Sequence, residues 1–212
     1  MEYDLHVHTC HSRCSNLMPQ TILKAAKKRG LDGIAITDHH EIEGAVKVRN
    51  LNKDRDFEVI VGEEVSTNYG DVLLYYLSKK INKTDFFEVV DEARKQGALV
   101  IIPHPFRVTL VNDHKFRVPI DDVSGKIDAI ETFNARMMFP WNNCKAAGIA
   151  RRLEIAVTAG SDAHFAFEIG TGRTLFEGSL KDAIRKKRTS VCGFVKFGAI
   201  GGLMSYIRKR LD

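Results

Sequence analysis

The sequence predicts an α/β fold built on a parallel sheet, and three observations carry the prediction. Short apolar runs of strand length alternate with stretches of helical periodicity along most of the chain. Glycines stand where two of the helical stretches should stop. Residues able to do chemistry fall just after the strands, which is where sites are built when parallel strands close into a barrel and their C-terminal ends meet on one face.

The elements follow in order. Residues 3–8 alternate in strand fashion, and residues 19–29 carry Ile22, Leu23, Ala25 and Ala26 at helical spacing, with Gly30 placed to end that helix. Residues 33–38, 58–62 and 72–77 read as three further strands. A helix is expected over 85–96, stopped by Gly97, then strands over 98–103 and 129–133, a helix around 144–152 and a strand over 155–160. Toward the end come a short strand near 173–176, a helix over 180–187, a strand over 190–195 and a helix through 203–211. The least regular region, 107–126, is a candidate loop over a site. No repeat, linker or low-complexity segment interrupts the pattern, so residues 1–212 are expected to form a single domain.

Composition narrows the class. With 212 residues, 44% hydrophobic and 28% charged, the chain can bury a full core. No apolar run approaches the ~20 residues that span a bilayer, and no basic region followed by an apolar stretch opens the chain, so a cytoplasmic location without membrane association is expected. Four cysteines, Cys10, Cys14, Cys144 and Cys192, are too scattered for a disulfide framework and read as free thiols. The formal charge of +5 and pI of about 9.0 come with basic clusters at 27–29, 185–188 and 208–210. Such runs are usually solvated helix faces, but they also attract phosphate-bearing partners, so nucleic acid remains a possible partner.

The chemistry is concentrated at the strand ends. His6 and His8 lie two apart on one strand and point to the same face, a chelating geometry for zinc, iron or manganese. One such pair is weak evidence by itself. The case is made by Asp38-His39-His40 after the second strand, Glu63-Glu64 after the third, His104 between two prolines, and Asp162 with His164 after the strand at 155–160. His40, next to His39, should face the other way and read as a loop residue, and Glu63 should point away from Glu64. His114 is expected to be exposed. Phe139 and Trp141 could wall a base or sugar, although packing is the more ordinary role.

Together these motifs resemble the polymerase and histidinol phosphatase (PHP) superfamily of metal-dependent phosphoesterases. The matching segments are Asp4-Leu5-His6-Val7-His8-Thr9, Ala35-Ile36-Thr37-Asp38-His39, Val61-Gly62-Glu63-Glu64-Val65-Ser66-Thr67, Pro103-His104-Pro105 and Gly160-Ser161-Asp162-Ala163-His164. The resemblance runs from Asp4 to about Gly172 and implies a distorted barrel of about seven strand-helix units, a (β/α)7-type barrel. It also implies two or three divalent ions, variously zinc, manganese or iron. By position, His6, His8 and Asp162 would hold one ion, Glu64 would bridge to a second also bound by His104, and His39 and His164 would belong to a third. Two departures stand out. Relatives often have Asp or His where this chain has Arg13 and Cys14, so the third ion is expected to be held weakly; Cys14 or His11 could complete it, though a thiol without a metal role is the simpler reading of Cys14. Relatives also often carry a histidine in the strand after the bridging glutamate, and residues 72–77 contain none.

The expected reaction follows from charge. Dications neutralise phosphate oxygens, acidify water and stabilise a leaving alkoxide. Asp162 and Glu64 offset metal charge, while His39 or His164 could protonate the leaving group. Arg107, Arg136 and Arg13 are candidates for gripping phosphate oxygens, with an ordinary ion-pair role as the competing reading for each. The expected substrate is a phosphorylated small molecule or nucleotide. The alternatives are a metal-dependent nuclease and a ribonuclease P-type RNA-binding subunit on the same fold, the latter disfavoured because a scaffold has no need of His6, His8, Glu64, His104, Asp162 and His164 on one rim.

Overall fold

The computed structural model describes residues 1–108 and 115–195. The expected C-terminal helix, the basic cluster at 208–210 and His114 lie outside the described residues. Fifteen elements run in the order β1 (Glu2–Val7), α1 (Pro19–Lys28), β2 (Gly33–Ile36), α2 (Glu43–Leu51), β3 (Glu58–Thr67), β4 (Gly70–Tyr75), α3 (Phe86–Lys95), β5 (Leu99–Ile102), α4 (Ile120–Val123), β6 (Ala129–Asn134), α5 (Trp141–Arg152), β7 (Ala156–Gly160), β8 (Gly172–Leu175), α6 (Leu180–Arg185) and β9 (Ser190–Gly193), with a 3-10 turn at Ser124–Lys126. Helix α4 lies within the region read as a loop. Helix α1 starts on Pro19 and closes on Gly30, and α3 is capped by the Asp85 carboxylate, which accepts from the Phe87 and Glu88 amides, and closes on Gly97. Both glycines adopt positive φ, +70° and +68°, where a side chain would be strained. Helix α2 escaped the sequence reading. Its buried positions Gly44, Ala45 and Val48 are helically spaced, but the segment is short and has no side-chain cap.

The strands form one sheet in the order β7-β6-β5-β4-β3-β2-β1-β8-β9. Strands β1, β2 and β3 pair in parallel, as do β5, β6 and β7, but β4 is antiparallel to both β3 and β5, and β8 is antiparallel to β1 and β9. The regular strand-helix units of the sequence reading are therefore interrupted. Strand β3 runs on through Glu63 and Glu64 to Thr67 and turns tightly into β4. The sheet curls until its two halves meet: Val7 bridges Ala163, the His8 amide donates to Ala163 O at 3.0 Å, and the Ala163 amide donates to His6 O at 3.2 Å. The result is a nearly closed barrel. Thr174 Oγ1 on β8 accepts from the Ala159 amide at 2.8 Å and donates to Ala159 O at 3.0 Å, joining β7 to the other side of the seam.

Two irregularities aim side chains at the rim. The register of β1 against β2 shifts between Asp4 and Val7, and Leu5 packs in the barrel interior while Val7 packs outside with Ile34 and Ile36. Strict alternation would have put Leu5 and Val7 on one face; the irregularity changes the phase as the chain reaches His6 and His8. Strand β6 shifts likewise between Glu131 and Phe133. Below the rim, Tyr3, Leu5, Ile60, Leu73, Tyr75 and Ile101 fill the interior.

Asp4 fixes the seam. Fully buried, its carboxylate accepts from the Ser161 amide (2.8 Å), Ser161 Oγ (2.5 Å) and the Gly170 amide (2.7 Å), and burial pushes its pKa up to about 6 against those hydrogen bonds. Close approach matters as much: a Cβ at Gly160 would overlap His6 Cβ and crowd the His6 amide. Gly160→Ala should cost about 3 kcal/mol of stability by pushing β7 off β1, measurable by urea denaturation; a loss below about 0.5 kcal/mol, the range of an ordinary surface substitution, would contradict this account of closure.

Glu63 faces away from its neighbour, as expected, and accepts from the Ile81 amide at 2.9 Å. Burial pushes its carboxyl up to about 7. Below its unfolded pKa both states hold the proton and Glu63 costs nothing; between there and pH 7 the unfolded chain ionises first, so stability falls as pH rises. From pH 5 to 8, Glu63→Gln should therefore gain stability relative to the parent by up to about 3 kcal/mol, read from paired denaturation curves. A difference that does not change with pH would refute the burial argument.

Candidate metal centre

His6, His8, Glu64 and Asp162 converge on one point at the C-terminal rim. His6 Nε2 and His8 Nε2 are 3.1 Å apart. Glu64 Oε2 lies 3.4 and 3.3 Å from these nitrogens, and Asp162 Oδ1 lies 3.9 and 3.4 Å away. His6 Nδ1 is 3.0 Å from Glu131 Oε1, a contact that keeps the proton on Nδ1 and turns the Nε2 lone pair inward. Two imidazole nitrogens and two carboxylates facing each other at these distances make a donor set that could hold a cation.

Glu64 also looks the other way. Its Oε1 is 3.2 Å from His104 Nε2, and donor atoms of Glu64, Asp71 and His104 lie within 4.8 Å of one another. Asp71 was not foreseen. It occupies the second residue of β4, and because β4 runs against its neighbours, its beginning rather than its end reaches the rim. Ser66 Oγ donates to Asp71 Oδ1 at 2.7 Å, and the His104 amide donates to Glu131 Oε2 at 2.9 Å. Glu131 thus supports both His6 and His104. Asn134 joins it, its Nδ2 donating to Glu131 Oε2 at 3.0 Å and to Asp162 Oδ2 at 3.4 Å. The register shift in β6 lets two residues three apart share this side. Glu131 was legible only as a strand residue, since nothing in its local sequence marks a buried support.

A third group forms where the sequence reading expected a weak one. Donor atoms of His8, Cys14, His39 and His164 lie within 4.8 Å of one another. Cys14 is buried, whereas Cys10, Cys144 and Cys192 are exposed. The loop carrying Cys14 is tied down by Asp38, which accepts from the Thr9 amide, Thr9 Oγ1 and Ser12 Oγ, all at 2.7 Å. His164 donates from Nδ1 to Asp162 O at 2.7 Å, which leaves the lone pair on Nε2. His39, its side chain 34% exposed, is more accessible than His6, His8, His104 and His164 and lies 3.3 Å from Glu64 Oε2. His11 turns instead to Lys47 and Glu43 on α2, and His40 Nε2 accepts from the Ser66 amide.

The arginines separate. Arg107 Nη1 donates to Asp162 Oδ2 at 2.5 Å, at the edge of the cluster. Arg136 is buried, its Nε 3.5 Å from Glu168 Oε1 and its Nη1 3.3 Å from Asp162 O, which places its charge in an internal ion pair beside Asp162. Arg13 is exposed on the loop after β1. Trp141 is 63% exposed and stacked on Phe139 at 4.7 Å between centroids, so it is not the packing residue its ordinary role would suggest.

Electrostatics point the same way. Burial disfavours the charged form of every group here, yet Glu131, Asp162 and Glu64 hold His6 well above the ordinary histidine value, and hydrogen bonds to Asp162 and Glu64 raise His8. Despite burial, Glu64 is drawn well below the usual carboxylate range by His39 and His6, and Asp162 by Arg107 and His6. His164 is pushed well down by burial and by Arg136 and His8. A field that binds protons this firmly at His6 and His8 also favours divalent ions there, and the imidazole and carboxylate donors suit zinc, manganese or iron.

Comparison with known proteins agrees with the geometry. A family model described as PHP-associated matches residues 140–189. An uncharacterized protein of Methanocaldococcus jannaschii is 36% identical over 180 residues, covering 83% of this chain and 70% of that protein. A 5'-3' exoribonuclease of Haemophilus influenzae is 32% identical over 85 residues, covering 39% of this chain and 30% of that enzyme. Among solved structures, a two-domain protein of Bacteroides vulgatus containing a predicted PHP-like metal-dependent phosphoesterase superposes with a TM-score of 0.77 at 19% identity, over 92% of this chain and 65% of that protein. In fold, motif order and rim chemistry, the chain belongs to the polymerase and histidinol phosphatase (PHP) superfamily.

Proposed function

We propose that the chain is a metal-dependent hydrolase of phosphate esters, acting on phosphomonoesters or nucleotides. The observation that carries the reading is the convergence of His6 Nε2, His8 Nε2, Glu64 Oε2 and Asp162 Oδ1 on one buried point, with Glu131 turning the His6 lone pair inward. In this reading His6, His8, Glu64 and Asp162 hold one divalent ion, and Glu64, His104 and Asp71 hold a second. His39 and His164 contribute to a third position. Residues 1–212 act as one domain.

Divalent ions so placed supply Lewis acidity toward a phosphoryl oxygen and toward a water nucleophile. The chain's residues do the rest. Glu131 and Asn134 keep the ligands aligned, with Asn134 and Arg107 both on Asp162 Oδ2. Arg107 remains within reach of a substrate oxygen at the edge of the cluster. When the third position is empty, His39, the more accessible of the rim imidazoles, would give a proton to the leaving oxygen; His164 is held neutral by its surroundings and serves as a ligand. Exposed Trp141, at the start of α5, stacked on the half-buried Phe139 of the loop after β6, offers a stacking face to a nucleobase.

A nuclease reading draws on the exoribonuclease relative, which shares part of the chain. The basic run at 185–188 does not help it. Those residues are exposed, but they precede Ser190, which pairs with Leu175, which pairs in turn with Glu2 at the end of β1 away from His6. Turnover of short oligonucleotides against aryl phosphate and nucleoside monophosphates separates the two: phosphate release from monoesters supports the first reading, and oligonucleotide cleavage without it supports the second.

Asp162→Ala and His8→Ala should each lower aryl phosphate turnover by about 100-fold or more, beyond what loss of a supporting partner usually costs, while far-ultraviolet circular dichroism stays unchanged. Parental activity in either variant would defeat the site. Metal removal should also depend on pH. Because His6 and His8 bind protons above the ordinary histidine value, protons compete with metal in acid. A chelator should then lower Tm more at pH 8 than at pH 5.5; equal drops would contradict histidine ligation.

A further inference from the structure

We propose that Cys14, His39 and His164 form a thiolate-bearing position for a thiophilic divalent ion, zinc or iron(II), that discriminates against manganese and magnesium. This rests on the reading of the rim as a metal centre, and deepens it by giving one position a different chemistry from the others. Three observations support it.

The donors are close enough to share an ion. Their atoms lie within 4.8 Å of one another, and ligands of one tetrahedral zinc sit roughly 3.5 Å apart, so small side-chain adjustments close the set. The donors are also held. Ser15 Oγ, one residue after Cys14, bonds to His8 O at 3.0 Å and His164 O at 3.2 Å, stitching the loop to both sides of the barrel seam. His164 Nδ1 is committed to Asp162 O, which reserves Nε2 for a ligand.

His8 belongs to the same group by distance, but its Nε2 faces His6, Glu64 and Asp162. That leaves one sulfur and two imidazoles, with the partly exposed His39 as the accessible member. Three protein ligands and an accessible fourth place is the pattern of a catalytic rather than a closed structural zinc site. The contrast with the neighbouring positions lies in the donors. Glu64, Asp162 and Asp71 make those oxygen-rich, whereas this set contains no carboxylate. Sulfur and imidazole favour zinc and iron(II), while magnesium and manganese prefer oxygen. The thiol proton leaves as the ion binds.

The test is an anaerobic cobalt(II) titration of the metal-stripped chain. The parent should develop the intense near-ultraviolet absorption of a thiolate-cobalt bond. Cys14→Ser should lose that absorption and weaken one equivalent of cobalt by about 10-fold or more, a loss at least as large as removing a ligand's supporting partner causes, while the remaining equivalents bind as before. Cys14→Asp should bind the full complement without the absorption and take manganese at that position. Cobalt binding with no thiolate absorption in the parent would overturn the proposal while leaving the metal centre intact, and absorption that survives in Cys14→Ser would overturn it by assigning the sulfur elsewhere. If no cobalt binds at all, the metal-centre reading fails together with this one.

Discussion

An ionised carboxylate buried among imidazoles is the constraint around which this protein is built. Glu64 is 2% exposed, and its oxygens face His6, His8, His39 and His104. Removing such a charge from water is costly unless positive charge and hydrogen bonds replace the lost hydration. His6 and His8 come from the end of β1, His39 from the loop after β2 and His104 from the loop after β5, so the cost is offset only when β1, β2, β3 and β5 are all in place. Barrel closure and the assembly of the rim are one event.

Much of this was legible in the sequence, and the reason is geometric. In a parallel barrel the ends of the strands meet, so His6, His8, His39, Glu64, His104, Asp162 and His164 could be grouped from position alone. Asp71 escaped because β4 runs in reverse and shows the rim its beginning. Glu131 and Asn134 escaped because two residues three apart share a face only where the register shifts, and Leu5 and Val7 show the same effect in β1. Cys14 was read as a departure that weakens a site, with completion of that site as the lesser alternative, and the fold sets it beside His8, His39 and His164. Arg136 shows the opposite limit: its sequence position beside the rim was visible, but its pairing with Glu168 was not.

The supports explain why so polar a cluster does not fray. Glu131 accepts from His104 and Asn134 while contacting His6, Asp38 takes three hydrogen bonds from the first loop, and Asp4 takes three from the residues after β7. Each carboxylate is surrounded by donors with fixed directions, so ligand orientation follows from the scaffold rather than from whatever is bound. No helix among the described residues is long and apolar enough to cross a membrane, and the basic run at 185–188 lies toward the opposite end of the barrel from these supports.

The seam at Asp4 has a consequence for how the chain is made. Its partner Ser161 lies 157 residues further along the sequence, and Gly170 lies 166 residues away. During synthesis, His6 and His8 emerge long before Asp162 exists, and β1 waits for β7 and β8 to arrive on its other side. Contacts of such long sequence separation make folding slow and leave sheet edges open in the meantime. A nascent chain in that interval carries two adjacent imidazoles able to capture a stray ion, with no barrel around them to choose which one.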